Sequence, residues 1–321
     1  MRTVILAALA LAAAAGGTAA DEHLDAASIN GATYDAAAFA EGQHAAVAKA
    51  QVLLDRADAS PGVIDGYAGE NVAKAVRAFE RMAGLPVDGR MDRAVWDRLQ
   101  DDRPVLRGYT LTEGDVSDLT ERIPEDYARM ARMDRLGYTS VAERIAERFH
   151  MDVEFLRSLN PRADFSRPGT ALTVADPGSR LQTAVARIEA DKALAQLRAY
   201  DAAGDLVAAY PVTIGSRQTP SPSGTHEVVG IAIEPTYRYK PDENFQQGDN
   251  DEPLTLPPGP NGPVGLVWID LSKPTYGLHG SPDPAEIDKE QSHGCVRMTN
   301  WDARELAERV STGVTVAFLE R

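Results

Sequence analysis

The sequence predicts a multidomain α+β protein: a small three-helix domain, a mixed module of two strands and two helices, and a mainly β domain at the C-terminal end. Three observations predict it. Apolar residues recur at helical spacing from about Gln43 to Asp101, strand and helix signals alternate from about Pro104 to Pro177, and from about Ser179 the period shortens from 3.6 to 2. With 321 residues the chain is long enough for two or three cores. Its net charge of −15 argues against nucleic acid or an anionic membrane surface as partner.

The first twenty residues, MRTVILAALALAAAAGGTAA, read as a cleaved secretory signal: basic Arg2, an apolar run from Val4 to Ala15, then small residues to Ala20. The run is too short for a membrane span, and no later stretch approaches the ~20 apolar residues that one needs. The mature chain is expected to begin near Asp21, outside the cytoplasm.

In the helical segment 43–101, Val47, Ala50 and Leu54 share one helix face, as do Val72, Val76 and Phe79. Two apolar-Asp-Gly turns, Ile64-Asp65-Gly66 and Val87-Asp88-Gly89, each lead into a helix. The stretch SPGVIDGYAGENVAKAVRAFERMAGLPVDGRMDRAVWDRL resembles the three-helix peptidoglycan-binding domain found beside cell-wall enzymes. A generic helical spacer would show the same turns.

Across 104–177, Ser140 and Glu143 form the ends of a capping box opening a helix whose Ala142, Ile145 and Phe149 share a face, and a second helix begins near Asp152. With YTLTEGD before and ALTVADP after, the order strand, helix, helix, strand resembles a LysM glycan-binding module. Some 25 extra residues, roughly 116–138, separate its first strand from its first helix. A structural linker is the competing reading.

From Ser179 to Arg321, the runs ALAQLRAYD, LVAAYPVTIG, GTHEVVGIAI, PVGLVWIDL and GVTVAFL read as strands bounded by Gly, Pro, Asp and Ser. One helix is expected in WDARELAERV, capped by Thr299 or Asn300. The stretch 241–263 is too polar and proline-rich for a central strand and reads as a loop bordering an active site.

That domain holds the chain's single cysteine, Cys295, in QSHGCVRM. An unpaired thiol in an exported protein points to chemistry or to an intermolecular bond. A cysteine nucleophile needs a base and oxyanion donors. His279 closes a strand signal in YGLHG and is the better base, because His293, two residues from Cys295 on extended chain, shares its face without turning toward it. Zinc held by His279, His293 and Cys295 would lack the four ligands of a structural site, so neither metal nor cofactor is expected. Gly294 allows close approach of a substrate, with the amides of Gly294 and Cys295 free for an oxyanion. Arg297, on the same face as Cys295, can grip a carboxylate. His23, His44, His150 and His226 lack ligand spacing, and Trp96, Trp268 and Trp301 read as packing rather than glycan platforms.

The segment LHGSPDPAEIDKEQSHGCVRMTNWD resembles the signature of the YkuD-type L,D-transpeptidases, and TPSPSGTHEV with the strand order extends the resemblance over most of 179–321. The resemblance implies a mainly β catalytic domain that joins or trims peptidoglycan stems, with Cys295 attacking the carbonyl of the third stem residue, releasing D-Ala and passing the acyl group to an amine or to water. It implies His279 as base, the Gly280 carbonyl orienting its imidazole, Ser292 and His293 in support, and Arg297 reading the donor carboxylate. The expected partners are stem peptides and glycan, with a protein lysine as a further acceptor, in the periplasm or at the wall. An L,D-carboxypeptidase or endopeptidase, and a non-catalytic wall-binding protein, stay open. All chemistry is expected after Ser179, and the thiol pKa is expected below the free value of about 8.5.

Overall fold

The computed structural model describes residues 24–179, 181–243 and 245–320. The expected signal, 1–20, lies outside the described residues. Helix α1 (Ala26–Asn30) precedes three helices, α2 (Ala45–Arg56), α3 (Glu70–Ala83) and α4 (Arg93–Leu99). The apolar stripes point inward: Val47, Ala50, Leu54 and Val76 are fully buried, and Val72 and Phe79 nearly so. The two Asp-Gly turns are built alike, each tied down by a buried polar side chain from the helix before it. Gln51 Oε1 accepts from the amides of Asp65 and Gly66, at 3.1 and 2.8 Å, and Glu80 Oε2 accepts from those of Asp88 and Gly89, at 3.0 and 2.9 Å. Both glycines sit at positive φ, +79° and +77°, where a β-carbon would be strained.

Strand β1 (Leu106–Thr110) is followed by short helices α5 (Glu113–Val116) and α6 (Tyr127–Met130), then α7 (Val141–Arg148), α8 (Val153–Leu159) and β2 (Ala171–Ala175). β1 and β2 pair antiparallel from Leu106↔Ala175 to Thr110↔Ala171. Ser140 caps α7 through the amide of Glu143, whereas the Glu143 carboxylate turns to Thr139 instead of back to Ser140, so the reciprocal half of the capping box is absent. One apolar core runs through both regions, joining α2–α4 residues to Ile145, Phe149, Phe155 and Val174.

The third region is an eight-stranded curled sheet. Its strands are β3 (Arg187–Asp191), β4 (Gln196–Tyr200), β5 (Leu206–Pro211), β6 (Gly224–Ile233), β9 (Val267–Leu271), β10 (Gly277–His279), β11 (Val296–Arg297) and β12 (Thr315–Leu319), in the order β11-β10-β9-β6-β12-β3-β4-β5. A side hairpin, β7 (Tyr237–Tyr239) with β8 (Leu254–Leu256), places one short strand inside the stretch expected to be loop. Helix α9 (Asn300–Arg309) packs on the sheet, with Thr299 as its cap. The sheet curls until the chain beyond β5 meets β11: Thr213 and Arg297 exchange both backbone hydrogen bonds at 2.9 Å. That closure joins the two ends of the sheet.

The N-terminal half is fastened to this sheet by buried polar contacts. Ser60 Oγ donates to Asp302 Oδ2 (3.0 Å), Gln196 Nε2 to the Lys74 carbonyl (3.0 Å), and Asn300 Nδ2 to Glu147 Oε2 (2.8 Å). Lys74 pairs with Asp288 at 2.5 Å, and His150 stacks on Trp301 with ring centres 5.1 Å apart. No helix among the described residues is long and apolar enough to cross a membrane.

Candidate active site

Strands β10 and β11 run parallel and adjacent, with His279 opposite Arg297. Because β11 starts one residue after Cys295, the thiol enters the same cavity as His279, of about 290 Å³, lined also by Tyr127, Tyr237, Phe245 and Arg297. Cys295 is half-buried, and its Sγ lies 3.7 Å from the Thr275 carbonyl.

His279 is almost wholly buried and stacks on Trp268, with centroids 5.6 Å apart and planes 20° apart. Its Nδ1 lies 2.7 Å from the Gly280 carbonyl oxygen. A carbonyl can only accept, so Nδ1 carries the proton and Nε2 keeps its lone pair. Burial drives the imidazole pKa down to about 4, and the Arg297 charge pushes the same way against the Gly280 hydrogen bond. The ring is neutral at pH 7. The Cys295 thiol is pushed up by burial and by Asp270, against a backbone amide from Gly277 and the charge of Arg297. The expected fall in the thiol pKa is therefore corrected: a neutral imidazole offers no cation to stabilise a thiolate, so the resting pair is thiol and imidazole.

Ser292 is buried and closes the loop before the cysteine, donating to the Cys295 carbonyl at 2.5 Å and accepting from the Gly294 amide at 3.1 Å. The Gly294 amide is thus not free for an oxyanion as the sequence led us to expect. The glycine is needed for shape instead. Its φ is +119°, and a β-carbon there would lie 2.9 Å from the Tyr276 ring. The exposed His293 stacks face to face on Phe245, centroids 4.0 Å apart. That contact fixes the 241–263 stretch at the cavity rim. Arg297 reaches Glu290 only at 3.9 Å.

Several residues lining the cavity escaped the sequence reading, Tyr237 among them. Trp268, read as packing, packs on the His279 ring itself, and Tyr127 arrives from the 116–138 insertion. Among the described residues no group of three or more His, Cys, Asp or Glu side chains is placed to hold a metal ion.

A curled β-sheet that brings a thiol and a carbonyl-oriented imidazole into one cleft holds the groups that acyl transfer through a cysteine requires. Residues 186–318 match the L,D-transpeptidase catalytic domain family, and residues 43–99 match a peptidoglycan-binding domain family. An L,D-transpeptidase of Bacillus licheniformis named YkuD is 31% identical over 176 residues, spanning 54% of this chain and 91% of the relative. The Escherichia coli L,D-transpeptidase YbiS is 27% identical over 215 residues, 64% of this chain and 70% of the relative. Among solved structures, L,D-transpeptidase 3 of Mycobacterium tuberculosis superposes with a TM-score of 0.35 at 14% identity, covering 50% of this chain and 77% of the other. The chain belongs to the L,D-transpeptidase family and carries an N-terminal peptidoglycan-binding domain.

Proposed function

We propose that the protein is an exported L,D-transpeptidase that forms an acyl-enzyme on Cys295 at the third residue of a peptidoglycan stem. The observation carrying this reading is the single cavity holding both Cys295 and a neutral, buried His279 whose Nδ1 is tied to Gly280. His279 Nε2 takes the thiol proton as Sγ bonds to the substrate carbonyl carbon. The Cys295 amide, which donates to no protein acceptor among the described residues, stabilises the oxyanion. Collapse breaks the peptide bond, and the imidazolium returns its proton to the departing D-Ala amine. An acceptor amine then attacks the thioester, giving its proton to His279 and restoring the thiol. Arg297 holds the donor carboxylate. Residues 43–101 and 104–177, the latter as a LysM-like module, bring the enzyme to the glycan.

The test is incubation with a disaccharide tetrapeptide, following free D-Ala and the mass of the protein. An adduct on Cys295 with stoichiometric D-Ala supports the reading. Cleaved stems without cross-linked product in the presence of amine acceptors would move it to an L,D-carboxypeptidase.

The two titrating groups predict the pH response. A base with pKa near 4 is unprotonated above that value, so the acid limb of kcat/KM is expected near pH 4 rather than 6.5. Alkylation of Cys295 by iodoacetamide is expected to keep rising beyond pH 8.5, because burial holds the thiol up. Arg297→Gln removes a cation and should move the alkylation midpoint higher still. An alkylation plateau already at pH 7 would show a pre-formed thiolate instead.

A further inference from the structure

The 116–138 insertion belongs by sequence to the middle module but lies against the catalytic one. It has a small apolar core with the β7–β8 hairpin, in which Leu136, Tyr239 and Leu256 are buried and Tyr127, Met130 and Met133 pack around them. Backbone bonds fix the contact: the Leu136 amide donates to Pro258 O at 3.0 Å, and the Asn261 amide to Leu136 O at 3.0 Å. Gly259 passes so close that a β-carbon would come within 2.0 Å of the Leu136 carbonyl oxygen. At the other end, Gln247 Oε1 accepts from the Tyr127 amide at 3.1 Å while its Nε2 donates to Glu125 O at 2.9 Å. Arg135 and Glu234 add a two-pronged ion pair at 2.8 and 3.0 Å. The insertion is a wall held in place from both ends.

At its tip the Tyr127 ring packs edge-on against Tyr237, Tyr239 and Phe245, with centroids 6.1, 5.3 and 6.1 Å away. The three tyrosines of this cluster are not equivalent. The Tyr239 hydroxyl is consumed by the loop, donating to Asn250 O (3.2 Å) and accepting from the Gln247 amide (3.0 Å). The Tyr127 and Tyr237 hydroxyls make no hydrogen bond to another described residue, and both side chains line the cavity that contains Cys295. Both residues are half-buried, so their hydroxyls are open to the cavity, and a cavity-facing phenol without a protein partner gains most from an anionic acceptor. The charge in reach is Arg297, which lines the same cavity and whose field acts on the Tyr127 phenol. Glu243, the acid at the rim, is already neutralised by Lys240 at 2.8 Å.

We infer that Tyr127 is a specificity-determining residue supplied by the middle module, its hydroxyl donating, beside Arg297, to a carboxylate of the stem-peptide donor. Donor selection is then shared between two modules. The inference rests on the proposed peptidoglycan acyl transfer.

The experiment uses the full chain. Tyr127→Phe keeps the ring packing and removes only the hydroxyl, and it is expected to raise KM for a tetrapeptide donor about tenfold, more than it lowers kcat, in line with the loss of a hydrogen bond to a charged group. A donor amidated at its free carboxylates should bind wild type more weakly by at least that factor, since Arg297 loses its partner too, and Tyr127→Phe should then cost nothing further. Direct binding of the tetrapeptide to Cys295→Ala, with and without Tyr127→Phe, reads the same tenfold change without turnover. Iodoacetamide alkylation of Cys295 is the control for local packing and should keep its wild-type rate in Tyr127→Phe. An unchanged KM, or an equal loss on amidated and free donors, overturns the assignment while leaving the acyl-transfer reading intact. Alkylation slowed in proportion to turnover would reduce Tyr127 to a packing role. If Cys295→Ala binds no stem peptide at all, the peptidoglycan reading falls, and this inference with it.

Discussion

Cys295→Ala is expected to lower D-Ala release from tetrapeptide stems by about 10⁴-fold or more, with the thermal midpoint within about 2 °C of wild type. The rate falls because no other group in the cavity can form the acyl intermediate. Water would have to attack directly, with only binding and the oxyanion donor left to help. Stability holds because the thiol is half-buried and its sulfur makes only weak polar contacts, to Thr275 O at 3.7 Å and with the Gly277 amide. Losing such contacts costs well under the ~2 kcal/mol of a true core truncation. Release of D-Ala at more than about a hundredth of the wild-type rate would remove Cys295 from the role of nucleophile.

The second large effect is expected from truncation. A fragment of residues 179–321 should melt on the order of 10 °C lower than the full chain and should lose at least about tenfold in kcat/KM on soluble muropeptides. The sequence alone suggested the opposite, since both halves of the reacting pair follow Ser179. In the folded protein the cut uncovers Ala209 and the Trp301 ring, and it strips partners from Asp302, Gln196, Asn300 and Asp288. It also deletes Tyr127 and unpins the loop that carries Phe245. Differential scanning fluorimetry and D-Ala release on both proteins give the answer. A fragment with full-length melting and turnover would make the N-terminal half a tether for insoluble wall and nothing more.

The contrast shows which features the sequence made legible. The meeting of Cys295 and His279 in one cavity could be read because their signature is compressed into one stretch, QSHGCVRM after YGLHG, and because an unpaired thiol behind an expected export signal is anomalous. Helices α2, α3 and α7 were readable because each has an apolar stripe and a defined start or stop. Strand β11, two residues long, has no periodicity to read, and β3 hides in the mixed string RIEAD. Tyr127 could not be found locally. Its role depends on where the insertion lands, and the only trace was the insertion itself, with Tyr127, Met130 and Met133 spaced to make one apolar face. The commitment of the Gly294 amide to Ser292 was equally hidden, because a serine two residues upstream can turn either way.

The meeting of Thr213 with Arg297 also bears on the order in which the molecule assembles. Those two residues come from opposite ends of the sheet, so their pairing closes a long loop and must wait until the strands between them are in place. Cys295 stands two residues from that seam. The cleft is consequently expected to form late in folding, and until then Cys295 is an ordinary thiol on an unpaired strand end. On the proposed acyl-transfer reading, reactivity toward peptides begins only when the sheet has curled shut, which keeps the thiol idle while the rest of the chain is still open to misplaced chemistry.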